Sequence, residues 1–413
     1  MTAAIDEFIN EARGVSVIDA AGIIGIKLKR RMNYAGPCPD CGGKDRFSIN
    51  QTLGAWNCRQ CGKGGRDGIG LVALAFKHDL HTRSGFLEAC ADVLGRAVPA
   101  EGGAETEEER ADRLQRIADQ KRRNEEAATD SAKDGDSFRQ YEMNQARGLY
   151  LHAAEGRHAT LADYLRRRTG FEMPPQVFSN IRYQTKLTYW NGEDERGHKL
   201  SHYVGFGMLA PFVTIEGRIT GCHQTWIDLS NGPKFRVDLG LDDKGEPLPA
   251  KKMRGTKKGR FIPLFGLLSS SRWVGGEGIE NGLAIAGAEG FRADTFYFAA
   301  GDLGNLAGPA DPKSSFNHPT LKKADKNGRL SPVRVAGPVP KAGQTADDAM
   351  QVPDHVEDMV LLADGDSEPV FTAAAMARAE NRLQRPGRTI RTWWPPAGLD
   401  FSKLLADYMG DSA

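Results

Sequence analysis

Apolar and polar positions alternate differently in successive stretches of the chain, and each pattern predicts its own elements. Val15–Tyr34 starts with apolar residues at helical spacing and turns basic, predicting a short amphipathic helix and then a strand. Arg46-Phe-Ser-Ile-Asn50 and Leu53-Gly-Ala-Trp-Asn57 form a hairpin pattern, and Asp67–Phe76 and Phe86–Leu94 read as helices. From Glu101 to about Gln145 apolar residues thin out and charges of both signs recur at helical spacing, as in Lys121-Arg-Arg-Asn-Glu-Glu126. A solvated helix serving as a semi-rigid linker is expected there, or a helix docked on the next domain. Leu161–Gly170 is a basic helix stopped by glycine, and Gly207–Ile215 and Arg218–Ile227 are strands joined at Glu216-Gly217, so this section should be α+β. Arg272–Ala286 reads as a short apolar strand running into Glu277 and then an apolar helix, and Thr295–Gly308 as a strand and a glycine-rich turn. Pro309–Pro353 has almost no apolar periodicity and looks inserted, with disorder as the default. A mobile flap over nucleic acid carrying Lys322, Lys323, Lys326, Arg329 and Arg334 is the alternative. Val360–Ala363 has no room for alternation, which predicts a strand buried on both faces, and an Ala-rich helix follows Pro369.

Composition adds bounds rather than direction. The chain has 413 residues and a formal net charge of +1, which fits two or three ordinary domains and says nothing about partners. No apolar run approaches a membrane span and the first residues lack a secretory signal, so a cytoplasmic protein without a membrane partner is expected.

Cysteine spacing is more specific. Cys38, Cys41, Cys58 and Cys61 form two C-x-x-C pairs sixteen residues apart, the spacing of a zinc ribbon in which glycine-rich turns converge four thiolates on one structural Zn²⁺. Cys90 and Cys222 read as buried thiols, and His78 and His81 as surface or packing residues. Phe47 and Trp56 either pack the ribbon's core or stack on unpaired bases among Lys44, Arg46, Arg59 and Lys63.

The remaining chemistry is carboxylate. Asp364 and Asp366 stand at a strand's carboxyl end, where ligands bind in parallel sheets, and two acids about 4 Å apart repel by roughly 4 kcal/mol at an effective dielectric near 20. Such a pair invites a hard, oxygen-seeking cation. An EF-hand is excluded, because Pro369 stands where glycine is needed and Ala375 where glutamate is. Glu277 follows a second strand, in a turn whose glycines miss the dinucleotide spacing because Asn281 holds the sixth position. Asp400 precedes a last helix. Asp302 and Asn305 lie near the site or simply cap a helix.

This order of acids over roughly the last third of the chain resembles a Toprim domain, the metal-binding α/β fold shared by bacterial-type primases, topoisomerases and some nucleases. Val15–Gly95 resembles the zinc-binding domain of DNA primases, and Cys41, where the bacterial replicative type has histidine, is similar to phage and plasmid members. Pro233-Lys-Phe-Arg236 and Lys251–Arg260 resemble the basic subdomain of primases, although Gln224 or Thr225 stands where that pattern commonly has arginine.

The resemblance implies an α/β multidomain protein: a zinc ribbon at 1–100, a linker at 101–145, a basic α+β subdomain at 146–266, and a Toprim (Rossmann-like) domain at 267–413 with the insertion at about 309–353. It implies a primase that makes short primers on single-stranded DNA from nucleoside triphosphates, beside a separate helicase at the replication fork. Asp364, Asp366 and Asp400 would hold Mg²⁺ or Mn²⁺, with Glu277 as general base or further ligand. Lys234, Arg236, Lys251, Lys252, Arg254, Lys257, Lys258 and Arg260 would face nucleotide or template. The alternatives are a Toprim nuclease or topoisomerase and a noncatalytic single-strand-binding replication factor. No phosphate-binding G-x-x-x-x-G-K-[ST] loop occurs, and the chain has no evident length for a helicase-docking or tyrosine-bearing domain.

Overall fold

The computed structural model describes residues 3–28, 33–51, 53–99, 107–194, 196, 198–324 and 328–411. Lys326 and most of the basic run before Tyr34 lie outside them. Two compact units are present, Met1–Phe138 and Arg139–Ala413.

The first unit begins with α1 (Ala3–Gly14) and α2 (Val17–Ile23), followed by strands β1 (Tyr34–Cys38), β2 (Gly42–Asn50), β3 (Ala55–Cys58) and β4 (Gly64–Gly65). The strands pair antiparallel in chain order. Helices α3 (Gly68–Phe76) and α4 (Arg83–Leu94) are capped by Asp67 and Thr82, whose side chains accept from the N–H of Gly70 and Gly85. The unit's core joins Phe8, Ile24, Leu71 and Val72 to Phe47 and Trp56, so both ribbon aromatics are interior and neither is presented to bases. His78 packs through Nε2 against buried Asp92 at 2.7 Å.

The charged stretch is one long helix, α5 (Glu107–Leu151), and the division between units falls inside it. It is helical beyond the expected end of the linker because Ala146 and Tyr150 bury themselves with Leu187, Tyr189 and Trp226.

The second unit continues with α6 (Ala159–Thr169), α7 (Pro175–Asn180) and an antiparallel sheet of β5 (Arg182–Glu193), β6 (Lys199–Val213), β7 (Ile219–Trp226) and β8 (Lys251–Gly255). Next come β9 (Ile262–Phe265), β10 (Arg272–Gly276), α8 (Ile279–Ala288), β11 (Thr295–Ala299), α9 (Leu303–Ala307), the hairpin β12 (Phe316–Ala324) and β13 (Leu330–Val335), β14 (Asp358–Leu362), α10 (Pro369–Leu383), β15 (Thr389–Trp393) and α11 (Phe401–Asp411).

A second sheet has the order β15-β14-β10-β11-β9, parallel except for β9. Its inner strands β10, β11 and β14 are largely apolar because both faces are covered, whereas the edge strand β15 has no buried residue. Val274, Tyr297, Val360 and Leu362 pack with Leu165 and Leu283, whereas Trp273, Phe296, Phe298, Met359 and Leu361 pack with Met376. The first of these cores also takes in Met208 and Phe212 from β6. Thus the expected boundary at 266/267 separates neighbouring elements that share one sheet and one core.

The insertion is the main departure from expectation. Instead of a structureless segment, it forms the β12–β13 hairpin, with Phe316 opposite Val335. Buried Arg378 of α10 holds its flanks, donating to the carbonyls of Gly308 (2.8 Å), Ala336 (3.1 Å) and Gly337 (2.6 Å). Among the described residues no helix is long and apolar enough to cross a membrane.

Candidate functional site

Two sites can be assembled from side chains. In the first unit, the Sγ atoms of Cys38, Cys41, Cys58 and Cys61 all lie within 4.8 Å of one another, with Cys41 and Cys58 3.6 Å apart. Tetrahedral thiolates at a Zn–S distance of about 2.3 Å would be about 3.8 Å apart, so the group fits zinc with side-chain shifts of no more than about 1 Å. Each knuckle aims backbone N–H groups at its first sulfur, those of Asp40 and Cys41 at Cys38 and those of Gln60 and Cys61 at Cys58. Gly42 and Gly62 take positive φ just after each second cysteine, where a side chain would strain the turn. Burial raises the Cys58 thiol's pKa, but these N–H groups and the neighbouring sulfurs outweigh it and bring the value to about 6, as suits a metal ligand.

The second site lies at the carboxyl edge of the parallel strands. Register places Gly276, Leu362 and Trp393 level, so Glu277, Asp364 and the loop to Asp400 leave the sheet on one side. Gly365, between the two aspartates, is where that loop crosses. A Cβ there would meet Leu399 O at 2.5 Å and Pro396 O at 2.8 Å, and the Gly398 N–H donates to Gly365 O at 2.7 Å. Glycine at 365 therefore lets the Asp400 loop close on the aspartate turn.

The four acids share one electrostatic field. Asp364 is pushed up to about 7, first by burial and then by Glu277, Asp366 and Asp400. Glu277 is raised by burial and by Asp302, against the pull of Lys251, the Leu303 N–H and Lys257. Among the described residues, however, the cysteines alone meet at metal-cluster distance and the carboxylates do not. Hard oxygen donors repelling one another fit Mg²⁺ or Mn²⁺ held by one or two carboxylates, with water and substrate phosphate completing the shell.

Asn281, which in the sequence served only to break a glycine motif, is a working part of this edge. Its Nδ2 donates to Asp364 at 2.7 Å, and its Oδ1 accepts from Ser402 N at 3.0 Å. Asp400 in turn caps α11, accepting from Lys403 N at 2.6 Å and Ser402 Oγ at 3.0 Å. Asp302 caps α9 and pairs with Lys257, while Asn305 is a buried clamp between Gly259 N, Arg260 O and Ala300 O.

The basic residues are less free than their sequence implies. Strand alternation sends neighbours on β8 to opposite faces. Lys251 reaches Glu280 at 3.2 Å, whereas Lys252 lies over the Tyr189 ring and donates to Trp190 O. Arg254 is spent on Glu142 (3.0 and 3.2 Å) and Arg260 on Asp347 (2.8 Å), so Lys252, Arg254 and Arg260 do not join the acids. Arg236 donates to Glu280 at 2.9 Å. Lys234 and Lys258 are exposed.

Glu280, missed in the sequence, is the hub of this second network. Burial raises its pKa, yet Lys251, Arg236 and Arg168 and the Tyr164 hydroxyl at 2.7 Å hold it well below the carboxylate range. Loss of water first, then Lys251, Arg236 and Lys257, pull half-buried His223 down to about 3 against Glu280, leaving it neutral. The available signal was a second acid, Glu280, on the first turn of α8, three residues after Glu277 in the preceding turn.

Residues 33–69 match the family model described as the zinc-binding domain of primase-helicase, and residues 140–264 match a domain of unknown function, DUF7146. The ribbon match and the four-cysteine geometry agree on structural zinc. The chain is similar in trace to the Aquifex aeolicus primase zinc-binding and RNA polymerase domains (15% identity, 100% of this chain and 84% of that one, TM-score 0.33). It is also similar to a DnaG primase catalytic domain bound to single-stranded DNA (15%, 66% and 78%, 0.38) and to the primase fragment of the bacteriophage T7 primase-helicase (10%, 92% and 96%, 0.29). At such scores these likenesses decide neither the finer fold nor the activity.

Proposed function

We propose that this chain is a DNA primase, with a Toprim-like edge as its nucleotidyl-transfer site and the ribbon as its template-contacting module. The observation that supports the reading is the placement of Glu277, Asp364 and the Asp400 loop at one carboxyl edge of the parallel strands, where Glu277, Asp366 and Asp400 act on Asp364 and Lys251 and Lys257 act on Glu277. Substrates would be nucleoside triphosphates on a single-stranded DNA template, and the setting a cytoplasmic replication fork beside a separate helicase.

Asp364 and Asp366, with Asp400 in support, would hold Mg²⁺ or Mn²⁺, which supplies charge neutralisation and Lewis acidity at the reacting phosphate. Asn281 fixes the Asp364 carboxylate, so the ligand oxygen is oriented before substrate arrives. Glu277, whose pKa is raised by burial, is suited to take the proton of the primer's 3′-hydroxyl at a carboxylate oxygen as the 3′-oxygen attacks the α-phosphate in line, the α–β P–O bond breaks and pyrophosphate leaves. Lys251 and Lys257 would exchange part of their pairing with Glu280 and Asp302 for the triphosphate. Lys234 and Lys258, both exposed, would meet template phosphate.

The test is incubation with single-stranded DNA, labelled nucleotides and Mg²⁺ or Mn²⁺, beside Glu277→Ala and Asp364→Ala. Labelled oligomers that vanish in both variants support the primase. Carboxylate-dependent cleavage products would make the site a nuclease, and DNA binding with neither product would make the chain a noncatalytic replication factor.

A further inference from the structure

Away from the carboxylate edge, the second unit has a recess of about 440 Å³ between the last turns of α5 and the β6–β7 turn. We propose that this recess is a separate binding site for a phosphate-bearing ligand. Arg147, Arg218 and Arg260 line it, and no aspartate or glutamate does. Guanidinium groups bind phosphate through paired N–H donors, and three of them around one concavity raise the local concentration of anions.

The arginines differ from the cations around Glu280 in being incompletely used. Arg147 is exposed and makes no hydrogen bond or ion pair among the described residues. The Arg218 side chain is 78% exposed, and its ion pair with Glu216 is loose, at 3.7 Å. Arg260 is fixed from behind by Asp347, yet its Nε is buried without a partner. Glu216, at the turn, is held below the usual carboxylate range by the Thr214 hydroxyl first and by Arg218 and Arg260 as well. That carboxylate already occupies part of the field a ligand phosphate would use.

The volume falls within the roughly 300 to 1,000 Å³ of small-molecule sites. Met143 and Ile219 give the recess an apolar wall against which a base can lie, and Gln140 and Asn144 offer side-chain amides. The shared chemistry is a phosphate next to a flat ring, supplied by a free nucleotide or by a single strand's backbone.

The experiment titrates the full-length protein with ATP and, separately, with a fluorescent oligothymidylate, in buffer without added divalent cation and at several salt concentrations. Arg147→Ala/Arg218→Ala should weaken binding by roughly tenfold or more and lower the salt slope by about one for each arginine–phosphate pair removed. Glu216→Gln should tighten it by roughly two- to fivefold, the effect of one exposed charge. This opposite direction separates a binding site from a damaged fold. Loss of oligothymidylate binding alone assigns the recess to a strand, loss of ATP binding alone assigns it to a nucleotide, and loss of both assigns it to phosphate in general. Unchanged affinity and salt slope in the double variant, absence of binding by the natural chain, or no tightening in Glu216→Gln would overturn the proposal. The titrations contain no added divalent cation, so their outcome does not depend on metal-dependent nucleotidyl transfer.

Discussion

Asp364 sits where its own charge is penalised, and that penalty makes a prediction about stability as well as catalysis. Its folded pKa of about 7 lies above the ordinary 3.8, so between those values the folded chain binds more protons than the unfolded one and stability falls as pH rises. Asp364→Asn should therefore raise the melting temperature of the metal-free protein at pH 8, lose most of that advantage by about pH 4, near the unfolded pKa, and abolish metal-dependent nucleotide incorporation. Melts at the two pH values check it, and equal shifts at both would show that neither burial nor the neighbouring carboxylates raise Asp364. Glu280 has the opposite sign. Its depressed pKa contributes stability above the ordinary 4.5 that is lost as pH falls below it. The Glu280 side chain is 5% exposed, against 19% for Arg236 and 31% for Lys251, so Glu280→Gln leaves two partly buried cations without their anion. A loss of about 3 to 5 kcal/mol in urea unfolding at pH 7 is expected, shrinking in acid.

The hairpin β12–β13 and helix α10 carry a different kind of prediction, because Arg378 clasps the hairpin's flanks beside a second tie, His318 Nε2 to Glu368 Oε1 at 2.8 Å. Arg378→Ala removes the donor to three carbonyls and leaves them in a site from which water is largely excluded. Amide exchange in Phe316–Val335 should accelerate by the equivalent of about 2 to 4 kcal/mol while β10 and β14 keep their protection. If exchange rose equally in all of them, Arg378 would be a support of the whole unit rather than a clasp. This dependence also explains what the sequence concealed. The strands β10 and β14 were legible because burial on both faces leaves an unbroken apolar run, and their acids followed from the parallel-sheet edge. The hairpin was not, because its anchors are backbone carbonyls and an arginine some forty or more positions further on, which leave no periodicity. The basic run was only partly legible for a related reason. Lys251, Arg254 and Arg260 look free in sequence because Glu280, Glu142 and Asp347, which pair with them, are remote along the chain.

The division of the chain at Phe138 and Arg139 separates two kinds of stability. The second unit has two apolar layers around a five-stranded sheet, a core of ordinary construction. The first relies on a small core whose sheet is drawn in by four thiolates, and in such modules metal binding supplies on the order of 10 to 16 kcal/mol of folding free energy. Zinc removal should accordingly abolish one thermal transition and leave the other. Cys58→Ser, or chelation at a pH where thiols protonate readily, is expected to unfold residues 33–95, expose Phe47 and Trp56, and release close to one equivalent of zinc per chain. Cys90→Ser, a buried cysteine outside the cluster, should release none. Calorimetry with tryptophan fluorescence and a zinc-sensitive dye reads all three. Were both transitions to shift together on chelation, α5 would be transmitting stability between the units, and the zinc would belong to the folding of the entire chain.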